Sequence, residues 1–175
     1  MNIKNTFNVS AIMTGALLSC SALAGDPVTL NIIGNIIASP CEISSDSVTK
    51  TIDLGGGSPI QASTLQTAGA STSWIPFTIG LVNCPAGTTK ATIQFHGTPD
   101  PDNPADMYKN TGSASYVAVQ LQGSGGDQFG DGKSFTGTIA NNAYTYNLRT
   151  RAYTKNGGVT PGTISAVVTA TFTYQ

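Results

Sequence analysis

The sequence predicts an all-β protein, an antiparallel β-sandwich of immunoglobulin-like type, and three observations carry that prediction. Hydrophobicity alternates with a period of two along most of the chain. Clusters of Gly, Asn and Pro punctuate it at short intervals, and no long window carries a helical stripe. Of 175 residues, 39% are hydrophobic and only 10% are charged, against about 25% charged in an average globular protein. Thr, Ser, Gly, Ala and Asn take the place of the missing charges, which suits an extracellular β protein.

That length supports one domain with one core and leaves no room for a second, catalytic domain. Eight basic against nine acidic side chains give a formal charge of −1. Apart from Lys4, the basic residues are scattered between Lys50 and Lys155 rather than gathered on a stripe, so no nucleic-acid surface is expected. Low charge combined with many Val, Ile, Phe and Tyr residues is also the wrong balance for a disordered chain.

Residues 1–24 read as a signal peptide. Lys4 supplies a basic start, Val9 to Leu18 is apolar but well short of the roughly 20 residues of a membrane span, and Ala22-Leu23-Ala24 is a cleavage site. Cleavage is placed after Ala24, with no membrane span remaining. The run Leu17-Leu18-Ser19-Cys20 is close to the leader of a lipidated cysteine, but it fits that pattern poorly and the Ala-x-Ala site follows at once.

Two cysteines remain, Cys41 and Cys84. In a chain exported through an oxidising compartment such a pair reads as a structural disulfide. Closing the loop between Cys41 and Cys84 stabilises by about 4 kcal/mol on the chain-entropy model. His96 is the only histidine, so a metal site would lack ligands and no cofactor is expected.

The alternation begins almost at the cleavage site. VTLNIIGNII places Val28, Leu30, Ile32, Gly34 and Ile36 on one side of an extended strand, with Thr29, Asn31, Ile33 and Asn35 on the other. Further strands are expected at Val48 to Leu54, Trp74 to Val82, Ala91 to Phe95, Tyr116 to Gln122, Ser134 to Ile139, Tyr144 to Tyr153 and Thr163 to Tyr174. Between them lie turn signals such as Asn83-Cys84-Pro85, Asn141-Asn142, Asn156-Gly157-Gly158 and Pro161-Gly162. Gly55 to Ser73 and Thr98 to Thr111 are the least regular stretches and read as loops.

The two ends of the mature chain are strands without an obvious partner. In TISAVVTATFTYQ, Ile164, Ala166, Val168, Ala170, Phe172 and Tyr174 face one way, and the chain stops at Gln175. An apolar strand ending a protein is normally covered on both edges, because an open edge invites aggregation.

With these residues in place, the chain resembles the subunits of chaperone-usher fimbriae and is most similar to type 1-like minor pilins. The matching features run in order. Val28 to Ile36 leads to Ala38-Ser39-Pro40-Cys41, then to Trp74-Ile75-Pro76-Phe77 and Leu81-Val82-Asn83-Cys84-Pro85. Tyr108-Lys109-Asn110, Ala118-Val119-Gln120-Leu121, Tyr146-Asn147-Leu148-Arg149 and the closing GTISAVVTATFTYQ complete the series. Counted back from Gln175, Tyr174 is second and Gly162 fourteenth, where this family places its penultimate aromatic and its zipper glycine.

The resemblance implies an incomplete immunoglobulin-like sandwich, lacking its seventh strand and completed by a donor strand from a chaperone or another subunit. The partners it implies are a periplasmic chaperone, an outer-membrane usher and neighbouring fimbrial subunits, with export through the periplasm of a Gram-negative bacterium to the cell surface. Carried onto this chain, residues 25–38 would be the donor extension, with Val28, Leu30, Ile32, Gly34 and Ile36 as its buried row, and 39–175 the pilin domain. Gly162, Ile164, Ala166, Val168, Ala170, Phe172 and Tyr174 would form the chaperone-binding wall of the acceptor groove.

Competing chemistry is weak. Asp127-Gln128-Phe129-Gly130-Asp131-Gly132-Lys133-Ser134 has Asp where a phosphate loop needs its first glycine, and no helix follows. Asp100, Asp102 and Asp106 are broken up by Pro101 and Pro104, unlike a calcium loop, and read as a solvated loop. His96 has no nucleophile paired with it by motif, Trp74 reads as packing rather than a sugar platform, and Arg149 with Arg151 as one solvated strand face. No enzyme is expected. The rival class is a monomeric secreted lectin-like binding module, which would have no use for a free donor strand.

Overall fold

A computed structural model describes residues 29–103 and 105–175. The expected leader, 1–24, and Val28 lie outside the described residues. The chain divides after Asn35. Residues 29–35 carry neither helix nor strand, and Leu30, Ile32 and Ile33 are exposed.

From Ile36 onward the chain is all-β, apart from a short 3-10 turn at Ala62–Leu65. Eight strands follow in order: β1 (Glu42–Ile43), β2 (Ile75–Val82), β3 (Lys90–Gly97), β4 (Met107–Lys109), β5 (Ala118–Gly123), β6 (Ser134–Thr138), β7 (Tyr144–Tyr153) and β8 (Val168–Tyr174). They form two sheets, ordered β1-β2-β7-β5-β4 and β6-β3-β8, in which every ladder is antiparallel.

The period-two pattern sets the layers. On β7, Tyr146, Leu148, Thr150 and Ala152 are buried between the sheets, while Thr145 and Asn147 are exposed. On β3 the inward row is Ala91, Ile93 and Phe95. These rows meet around Leu81, Cys84, Leu121 and Phe129 in one apolar core. A second cluster, of Leu65, Ala114, Val117, Ala152 and Val159, lies under the loops, with Leu65 carried in by the 3-10 turn.

The Cys41–Cys84 disulfide is formed, joining the residue before β1 to one just after β2 with their Cα atoms 4.1 Å apart. The Asn141-Asn142 turn also stands as read: both residues have positive φ, 51° and 60°, and Ala140 and Ala143 bridge around them. This is the backbone a tight two-residue hairpin needs, and Asn tolerates it.

Several expectations are corrected. Val48 to Leu54 alternates in burial only from Lys50 onward and pairs with no strand among the described residues. Asp53 ends the segment by accepting the amides of Gly55 (2.9 Å) and Gly57 (2.7 Å). The C-terminal strand starts at Val168 rather than Thr163, because the backbone before it is held elsewhere. Ser165 N–H donates to Asn110 Oδ1 (2.8 Å), and the Ser165 and Thr163 carbonyls accept from Thr111 and Ala114. The stretch from Thr98 to Thr111, read as a loop, contains β4. Asp106, read as solvated, is fully buried. Its carboxylate accepts from the side-chain amides of Gln120 (2.7 Å) and Gln122 (2.5 Å), which are the partners that permit its burial.

Candidate functional site: the groove beside the C-terminal strand

β8 pairs with β3 along one edge only, from Ala91↔Tyr174 to Gly97↔Val168. Its other edge carries no strand among the described residues. Beside that edge runs a groove of about 950 Å³. One wall is the C-terminal segment from Thr160 to Phe172, and the other is the unpaired stretch from Ser47 to Gly55. Its floor is core, reaching Phe77 and Ile79 of β2, Phe95 of β3 and Leu121 of β5.

Two alternating segments thus face each other without a ladder between them, which is why Val48 to Leu54 looks like a strand in sequence and is not one here. In a closed sandwich a further strand would stand in this gap and take up the unpaired backbone groups of both walls.

The sequence-derived wall residues are placed as follows. Ile164, Ala166, Val168, Ala170 and Phe172 are half-buried and line the groove, while the interleaved Ser165, Val167, Thr169 and Thr171 are exposed. Tyr174 packs against the core but does not line the groove. Burial pushes its hydroxyl pKa up. Gly162 lines the groove at its far end, where a Cβ would collide with the backbone of Ser113 and Ala114. The glycine is therefore required by a close approach within the subunit.

Of the expected donor row, Leu30 and Ile32 are exposed, Gly34 keeps its φ outside the left-handed region, and Ile36 is 99% exposed. The opposite wall, with Ile52 and Leu54, and the β2 floor went unassigned in the sequence reading. The signal for the wall was the alternation of VTKTIDL, read there as an ordinary strand, and β2 was read as a strand from Trp74 to Val82 without a role in the groove.

The wall from Ser47 to Gly55 is fixed from behind by polar contacts. Lys50 Nζ donates to the Thr78 carbonyl at 2.8 Å and lies 3.4 Å from Asp46 Oδ2. Hydrogen bonds from Ser44 and then Lys50 lower the Asp46 pKa. The amides of Gly55 and Gly57 do the same for Asp53.

The remaining candidates lie away from the groove. The guanidinium carbons of Arg149 and Arg151 sit 4.3 and 4.2 Å from the Trp74 ring centroid. Both arginines are half-buried, not solvated as read, and burial followed by repulsion from Arg149 lowers the Arg151 pKa. Trp74 is occupied as a cation-π partner. Asp102 pairs with Lys155 (3.6 Å) and Asp106 is sequestered by glutamines, so the three aspartates converge on no common point. His96 is exposed, 3.7 Å from Asp131.

Residues 30–175 match the family described as Fimbrial protein. The chain belongs to that family. This fimbrial subunit is 35% identical to Protein FimG of Escherichia coli (strain K12), covering 98% of each chain. It is 32% identical to the S-fimbrial adhesin protein SfaS of Escherichia coli O6:K15:H31 (strain 536 / UPEC), over 93% of this chain and 96% of that one. Among solved structures, the P pilus rod subunit PapA superposes with a TM-score of 0.66 at 25% identity, over 78% of this chain and all of PapA. The fold is thus the incomplete immunoglobulin-like sandwich of pilin subunits, and the protein is a structural component of a surface fimbria exported through the periplasm. Among the described residues, no helix is long and apolar enough to cross a membrane.

Proposed function

We propose that this fimbrial subunit polymerises by donor-strand exchange after chaperone-usher delivery, its groove accepting an extended segment from outside the subunit. The observation that carries the proposal is the open edge of β8 above a groove whose floor is the core itself. An added strand would bury apolar surface and pair with an edge that otherwise promotes aggregation.

In the periplasm a chaperone supplies that strand. At the outer-membrane usher the amino-terminal extension of the next subunit replaces it. Residues 25–38 are that extension and 39–175 the pilin domain. Val28, Leu30, Ile32 and Ile36 enter the neighbour's groove, each contributing about 1.5 to 3 kcal/mol, so the gross gain is about 6 to 12 kcal/mol before ordering costs. Ladder hydrogen bonds add about 1 kcal/mol each. Gly34 then answers to a shallow point in the neighbour's groove, since no left-handed turn requires a glycine there.

We assign no catalytic role to the chain. A monomeric lectin-like module is disfavoured because such a fold would close its own sandwich.

Deleting Asp26 to Ala38 tests the reading. The truncated subunit is expected to remain soluble in complex with its chaperone and to be unable to extend onto the subunit it should fill. Normal fibres assembled from the truncated chain would overturn the donor role.

A further inference from the structure

The outer edge of β2 changes its kind of partner along its length. Next to β1 the contact is backbone to backbone, Ser44 N–H donating to the Gly80 carbonyl at 2.9 Å. Gly80 N–H then donates to the Ser47 hydroxyl at 3.1 Å, and the Thr78 carbonyl accepts from Lys50 Nζ at 2.8 Å. At each step the partner atom sits on a longer side chain, so the segment draws away from β2 between Ser44 and Lys50. Two residues further along the same edge stands Pro76, which has no N–H to offer a returning ladder.

This departure leaves space on both sides of residues 48–54. The groove lies on one side, and a second cleft, of about 830 Å³, is lined by Lys50 to Asp53 and by Ile75 to Thr78 of β2. Leu54 packs on the second apolar cluster and secures the far end. Among the described residues, the bond from Lys50 to Thr78 is the single hydrogen bond between 48–54 and any strand.

We propose that Lys50 is a positioning residue for strand insertion: its ammonium, anchored on Thr78, holds the free wall where an added strand can pair with it and with β8 together. The inference rests on the donor-strand reading above and holds whichever protein supplies the strand. Neighbouring strands lie about 4.7 to 4.9 Å apart, so walls that share one inserted strand stand about 9.4 to 9.8 Å apart. A ladder to β2 would draw the wall into the five-stranded sheet, away from β8. With no bond to β2 the wall would swing freely. The four-carbon lysine stem lets the wall stand off β2 and still fixes it.

The test uses the mature chain in complex with its periplasmic chaperone, read by residue-resolved amide hydrogen exchange. In the unaltered complex, the amides of 48–54 and those of β8 that do not face β3 are expected to be protected. Lys50→Met keeps an apolar stem and loses the donor. It should speed exchange at 48–54 about three- to tenfold, the worth of roughly one net hydrogen bond, while β3, β7 and β8 keep their rates. Lys50→Arg, which restores a long cationic donor, should recover most of the protection. Asp46→Asn, which removes only the ion pair at 3.4 Å, should leave the wall as it was.

Unchanged exchange at 48–54 in Lys50→Met would overturn the inference, as would an equal loss in Asp46→Asn or a loss shared evenly by β3 and β7. A protected β8 beside an unprotected wall in the unaltered complex would overturn it too. If the free edge of β8 is itself unprotected there, the donor-strand reading fails and takes this inference with it.

Discussion

The hydroxyl of Tyr146 on β7 donates to the backbone carbonyl of Ala91 on β3 across 2.7 Å, a buried hydrogen bond joining the two sheets through the core. Ala91 is also opposite Tyr174 on β8, so this bond steadies the strand that forms the groove wall. Burial raises the pKa of the Tyr146 hydroxyl far above the ordinary range, and it remains a donor at any pH the fimbria meets. Tyr146→Phe keeps the ring packing and removes the donor. The expected loss is about 1 to 3 kcal/mol, the cost of a buried acceptor left unmade, read as a lower denaturation midpoint of the subunit filled by a donor peptide.

A donor supplied within the same polypeptide should close the sandwich. Appending residues 26–37 after Gln175 through a short turn, with the native extension deleted, lets the added segment run back along β8. The expected product is a soluble monomer that melts cooperatively and does not add to fibres. Continued aggregation of this fused chain, seen by size-exclusion chromatography, would count against the antiparallel geometry.

Gly162→Val should damage the subunit before it affects any partner. A side chain there meets the backbone of Ser113 and Ala114, which cannot yield as a flexible side chain would. The expected destabilisation is about 1 to 3 kcal/mol, measured in the fused, self-filled chain, where no chaperone is involved. A variant as stable as its parent would show that the loop from Gly112 to Ser115 moves freely.

The wall at Asp53 has a pH signature. Its carboxyl pKa lies below the usual value of 3.8 because the Gly55 and Gly57 amides donate to the charged form. A lowered native pKa contributes stability above the unfolded value and loses it as pH falls through the native one. The unaltered chain should therefore exceed Asp53→Asn in thermal midpoint at about pH 6, and the gap should close towards about pH 2. A gap independent of pH would mean that the charge on Asp53 is irrelevant.

Much of the sandwich was legible because its two faces obey a period of two. β7 was located to the residue, from Tyr144 to Tyr153, since it lies between two neighbours and has a fully buried inward row. β4 was missed because a three-residue edge strand is too short to show alternation and sits among prolines. Asp106 was misread for a related reason: nothing local marks a carboxylate that is buried by glutamines on another strand. Half of the groove was visible as the apolar row from Ile164 to Phe172. The facing wall was visible too, but its alternation could not say that its partner was missing. Pairing is a property of two segments, and sequence periodicity reports on one.

Phe95 and Phe172 belong at once to the core and to the boundary of the groove. The force that holds one repeat folded and the force that holds it to the next therefore act through the same side chains. Withdrawing the strand that fills the groove would therefore strip cover from the interior of the repeat itself, so the joint cannot open without disturbing the fold it joins.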